Sequence, residues 1–149
     1  MLGNVIYANG DGLNIANWAT TITMVHNTIY GNTGEGITTR NTNTLVLQNN
    51  VITHNGGFGV DADDGDFSAR DHNDFFANGS GWCSGCVSPG TGSLADDPMY
   101  IDAPSGDLRL QSASTLINAG VDLGHDVNGA GADDFNGVSP DIGAHETAE

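Results

Sequence analysis

The chain has no lysine. Its basic side chains of the Lys/Arg type are Arg40, Arg70 and Arg109 alone, against 19 Asp and Glu, for a formal net charge of −16 over 149 residues. Phosphate neutralisation needs clustered cations, so direct binding to nucleic acid or to an anionic membrane surface is excluded. Acidic polymers are repelled unless a divalent cation bridges them. Long apolar runs are also missing: none approaches the roughly 18 residues of a membrane span. Strong helix formers are scarce. Charged residues make up 15% and aromatics 7%, while Gly alone numbers 22, and Asn, Thr, Ser and Asp fill much of the rest. This composition favours turns and rules out a helical bundle or coiled coil. Two cysteines are too few for a disulfide scaffold.

What the chain has instead is a repeat. Asn4, Asn27, Asn50 and Asn73 follow one another at 23-residue intervals, and so do Asn9, Asn32, Asn55 and Asn78. Between them lie NVIYAN, NTIYGN, NVITHN and NDFFAN, whose third positions are Ile6, Ile29, Ile52 and Phe75 and whose fifth are Ala8, Gly31, His54 and Ala77. Gly12-Leu13, Gly36-Ile37 and Gly59-Val60 recur in a second register. Ile22/Met24, Leu45/Leu47 and Phe67/Ala69 recur in a third, each with a one-residue slip. Three short strands per period, separated by turn residues, predict a parallel β-solenoid of about four coils stacked at about 4.8 Å. Like residues then form ladders. The Ile ladder fills the lumen. The Asn ladders are predicted to link coils, because each side-chain amide both donates and accepts. A β-sandwich, the competing architecture, requires no constant period.

The coil unit Asn-x-Ile-x-x-Asn over residues 4–82 resembles the right-handed parallel β-helix superfamily with the pectin-lyase-like fold. The motifs Asp97-Pro98-Met99-Tyr100-Ile101, Gly106-Asp107-Leu108-Arg109-Leu110, Leu116-Ile117-Asn118-Ala119-Gly120 and Asp141-Ile142-Gly143-Ala144-His145-Glu146 are similar to the tail of choice-of-anchor Q bacterial surface proteins. The resemblance implies an extracellular or cell-surface β-helix, many relatives having no assigned activity and most having more N-terminal coils. No signal peptide is expected in these residues, Met1-Leu2-Gly3 running directly into the first repeat. The expectation is a piece of a longer secreted chain whose open first coil invites self-association. It is read as a single domain over residues 1–149: regular coils over 4–78, a loop-rich fourth coil over 79–96, and a region over 97–149 expected to cover the C-terminal end of the solenoid.

Several side-chain groups are candidates for chemistry. Asp61, Asp63, Asp64 and Asp66 crowd one turn. Such carboxylates repel one another unless a cation sits among them, and oxygen-rich turns suit Ca²⁺. The bland alternative is a solvated turn with an Arg40–Asp63 surface pair. Asp122, Asp126 and Asn128 form a second oxygen-rich loop open to the same two readings. Glycoside hydrolysis needs two carboxylates, here Asp61, Asp63 or Asp64. The resemblance implies Lys or Arg as the base in polysaccharide lyases, a role left to Arg40 or Arg70, and Arg is a poor base. Whether the protein is an enzyme is left open, with a non-catalytic module favoured. Cys83-x-x-Cys86 lacks the strand-to-helix setting of a redox pair and the further ligands of a zinc site. That leaves a loop disulfide, with free thiols as the alternative. Tyr7, Tyr30 and Phe76 share an outward ladder that reads as a sugar-stacking platform for a polysaccharide, as a packing ladder or as a subunit interface, the last two being favoured. His54 is expected to be packed or hydrogen-bonded.

Overall fold

The computed structural model describes residues 1–16, 21–40, 44–62, 66–127 and 135–148, without the side chain of Asp66. The repeat becomes three stacked coils, each of three strands. Coil one holds β1 (Val5–Tyr7), β2 (Leu13–Ile15) and β3 (Thr21–Val25). Coil two holds β4 (Thr28–Tyr30), β5 (Ile37–Thr39) and β6 (Thr44–Gln48). Coil three holds β7 (Val51–Thr53), β8 (Phe58–Ala62) and β9 (Asp66–Asp71). All pairings between coils are parallel, giving the sheets β1-β4-β7, β2-β5-β8 and β3-β6-β9. The expected fourth coil is partial: β10 (Gly81–Ser84) extends the second sheet, and single bridges join Asp71 to Thr91 and Asp74 to Leu94. The repeat weakens after Asn78, and with it the regular strands.

The period sets the register. Ile6, Ile29 and Ile52 stack in line. They join Leu45, Leu47, Ile37, Met24 and Val60 in the lumen, and Phe75 lies near its C-terminal end. The slip in the third sheet lies between Leu45 and Val46, so that Ala69 pairs with Val46 and Arg70 with Leu47, where the spacing had predicted Ala69 on Leu47. This bulge places the Arg70 guanidinium 4.6 Å from the centre of the Phe67 ring and 5.7 Å from that of Trp82. Trp82 packs on Phe75 at 5.5 Å. A cation over aromatic faces thus helps close the apolar lumen at the last coil. The Cys83–Cys86 disulfide ties off the turn after β10.

Both Asn ladders form as the spacing predicts. Asn50 Nδ2 donates to Met24 O at 2.8 Å, Gln48 O at 3.1 Å and Asn73 Oδ1 at 2.9 Å. Its Oδ1 accepts from the backbone N–H of Asn27 at 3.0 Å and from Asn27 Nδ2 at 2.9 Å. Asn4, Asn9, Asn32, Asn55 and Asn78 repeat this geometry. Each ladder Asn follows a residue with positive φ: Gly3, His26, Asn49 and His72 in one row, Ala8, Gly31, His54 and Ala77 in the other. The fifth position of the repeat is therefore a left-handed corner. His54 is exposed, and its ring packs against Tyr30 and Phe76 as a packed side chain would.

The tail takes a different place from the one expected. Residues 79–94 lie over the end of the solenoid, whereas the later residues run along its flank, against the outer side of β1-β4-β7. There β11 (Tyr100–Asp102) and β12 (Asp107–Leu110) form an antiparallel pair around a 3-10 turn at Ala103–Ser105. Leu110, Leu116 and Ile142 bury against Val51 with Leu94, Tyr100 and Ile117, making a second core outside the lumen. Backbone groups anchor it: Gly143 N–H donates to Asn49 O at 2.9 Å, and Ala144 N–H to Thr28 Oγ1 at 3.0 Å. The physical reason is the outward row Val5, Thr28, Val51 and Asp74. Its middle members are apolar or β-branched and need cover.

Candidate flank cleft

Where the tail leaves the solenoid, an open cleft of about 370 Å³ remains. Two walls from distant parts of the sequence form it. The corner of the repeat supplies Tyr30 and His54, and the segment around β11 supplies Asp97, Met99, Tyr100 and Asp102, with Gln111 beside them. The Tyr30 ring meets Tyr100 edge-on at 5.3 Å and His54 at 5.3 Å, and His54 meets Phe76 at 5.5 Å. Tyr100 is fixed from both ends: its hydroxyl lies 3.3 Å from Thr53 Oγ1, and its carbonyl accepts from Gln111 Nε2 at 2.7 Å. Burial holds the phenol well above its usual pKa, so the ring stays neutral.

Below the cleft lies Asp74, fully buried in the outward row. Its Oδ1 accepts the Asp96 N–H at 3.0 Å, while Oδ2 has no partner among the described residues. Burial raises its pKa to about 7, with the Asp96 N–H opposing and the charges of Asp96 and Asp97 adding to the rise. His26, at the other end of the flank, is buried with Nε2 2.9 Å from Asn49 Nδ2. Burial lowers its pKa to about 4, with the Asp141 backbone opposing.

The two groups act oppositely on stability. A raised carboxyl pKa means that the folded state binds the proton more tightly than the unfolded chain, so stability falls as pH rises from about 4 to 7. A depressed imidazole pKa means that stability is lost as pH falls from about 6.5 to 4. Asp74→Asn keeps an acceptor for Asp96 N–H and has no charge to bury. We expect its melting temperature to match the wild type near pH 4 and to exceed it by several degrees at pH 8. Thermal melts across that range check this, and superimposable pH profiles would show that Asp74 is not the buried acid described.

The residues singled out from the sequence are distributed unevenly. Tyr30 stands in the cleft wall. Tyr7, 45% exposed, lies on the same ladder beyond it, beside Gly106, and Phe76 lies behind His54. Part of the stripe is a packing ladder, since Tyr100 covers Thr53 and the edge of Tyr30. Asp61 is held by Arg40, Nη2 to Oδ2 at 3.1 Å. Asp63, Asp64, the Asp66 side chain and Asn128 lie outside the described residues, and with them the expected Arg40–Asp63 pair. Asp122 Oδ1 accepts the Gly124 N–H at 2.8 Å, and Asp126 lies on the same exposed loop. Among the described residues no three His, Cys, Asp or Glu side chains converge as a metal site. Among them, too, no helix is long and apolar enough to cross a membrane.

The sequence reading missed Asp97, Tyr100, Asp102 and Gln111 as site residues. Asp97 to Ile101 stood out only as a motif, and nothing in it says which coil it will face. Comparison with curated proteins and with solved structures finds no match. The family model of the right handed beta helix region matches residues 1–94, well over half of the chain. Its span covers the coils and their partial fourth turn, and this chain belongs to the right-handed β-helix family.

Proposed function

We propose that the protein is a glycan-binding β-helix module that works outside the cell and does not cleave its ligand. The observation that carries this is the flank cleft, where ring surface from Tyr30, His54 and Tyr100 meets the polar groups of Asp97, Asp102 and Gln111. Sugar rings have apolar faces that stack on aromatic surface and hydroxyl rims that hydrogen-bond to carboxylates and amides. The Cys83–Cys86 disulfide and the lysine-free acidic composition support an oxidising, extracellular setting, as does the similarity of the tail to choice-of-anchor Q surface proteins. Asp61 is engaged by Arg40, which disfavours it as a free catalytic carboxylate.

Calorimetric titration with a panel of oligosaccharides, paired with a reducing-end release assay, tests the reading. Binding without release is expected, with affinity falling about three- to tenfold in Tyr30→Ala. Release of reducing ends by the folded protein would overturn it, as would a panel with no binder.

A further inference from the structure

We infer that the cleft selects glycans carrying free amino groups over uronic-acid polymers. This rests on the glycan-binding reading above and names its ligand class. Asp97 and Asp102 both line the cleft, and neither Arg nor Lys does. Both side chains are exposed. Asp97 spends one oxygen on the Met99 N–H at 2.9 Å. Asp102 precedes the 3-10 turn at Ala103–Ser105 without capping it through its side chain. Its cross-strand partner is Asp107, a second carboxylate. Asp107 is claimed by Arg109, Nε to Oδ1 at 2.8 Å and Nη2 to Oδ2 at 2.5 Å, which also lowers its pKa to about 2. The one arginine of this hairpin is thus bound to its neighbour, and among the described residues no cation pairs with the Asp102 carboxylate that lines the cleft.

The aromatic walls act in the same direction. Ring faces attract an ammonium group through their quadrupole, and Tyr30, Tyr100 and His54 line the same cleft as the two carboxylates. A uronate would bring a third negative charge into a cleft of a molecule whose net charge is already −16. A glucosamine unit brings a cation of the right sign, with the same pyranose face to stack.

The test compares a fully deacetylated chitosan hexamer, cellohexaose and hexagalacturonate as ligands of the whole chain, at about pH 6 and low salt, where most of the sugar amines and the uronates are charged. The glucosamine hexamer is expected to bind about tenfold more tightly than cellohexaose, with the advantage shrinking in high salt, and the galacturonate more weakly than either. Asp97→Asn/Asp102→Asn retains an acceptor for Met99 N–H. It should keep the wild-type melting temperature and bind the glucosamine hexamer no more tightly than cellohexaose. Equal binding of the amino and neutral hexamers, or preference for the galacturonate, would overturn the inference and leave the glycan-binding reading intact. Binding of none of the three would remove both.

Discussion

Asn50→Ala is expected to destabilise the protein by about 4 kcal/mol and lower its melting temperature by about 10 °C. The residue is fully buried, and its amide joins all three coils. Alanine leaves the backbone N–H of Asn27 without an acceptor and strips a donor from Met24 O, Gln48 O and Asn73 Oδ1. Water cannot enter to replace them. Each buried group left unsatisfied costs about 1–3 kcal/mol, though several of these atoms keep a second partner. The contrast is Asn9→Ala in the first coil. Asn9 is exposed, its Nδ2 bonds to Tyr7 O and Asn32 Oδ1 can be replaced by water, and its backbone N–H keeps Asn32 Oδ1 as acceptor. A cost under about 1 kcal/mol is expected there. Urea unfolding of the two variants decides the matter. Equal, small losses would mean that the ladder is a consequence of stacking and contributes little to it.

Gly36→Ala is expected to cost about 3 kcal/mol, although it adds a single methyl group to a residue type often considered replaceable. Gly36 is buried at the corner that leads into β5. A Cβ there would lie 2.5 Å from Gly59 O, 2.8 Å from Ile52 Cγ2 and 2.9 Å from Asn55 Nδ2. Those atoms belong to a neighbouring coil's backbone, to the lumen and to the second Asn ladder, so none can yield without disturbing the stack. Gly12 and Gly59 stand in the same row with the same crowding. Gly10, with no atom within 4 Å of its hypothetical Cβ, is the control. Gly10→Ala should melt with the wild type, and Gly36→Ala well below it. A Gly36→Ala protein as stable as the wild type would show that the coils can separate at this corner.

The lumen was legible because a solenoid writes its contacts into its spacing. A residue and its neighbour across coils are 23 positions apart, so Ile6 over Ile29 over Ile52 could be read directly, and so could the Asn ladders. The recurring glycines were visible as a pattern, but their cause, a carbonyl of the next coil at van der Waals range, is a tertiary fact. The bulge beside Phe67 was visible only as a slip, and its sense depended on where Arg70 finds its aromatic partners. The flank was not legible. The tail has no period, and its partners lie at Val51, Thr53 and Asn49, with nothing in the spacing to link them to Leu110, Tyr100 or Gly143. Tyr30 could be marked as a candidate from its ladder, but the wall that turns it into a cleft comes from that aperiodic tail.

The measurement that tests the account most directly is a titration of the isotopically labelled chain with the glucosamine hexamer, followed residue by residue by nuclear magnetic resonance. Saturable shifts confined to Tyr30, His54, Asp97, Tyr100, Asp102 and Gln111 and their immediate neighbours are expected. Shifts centred on Asp61 and Arg40, or a spectrum unchanged at saturating sugar, would contradict it.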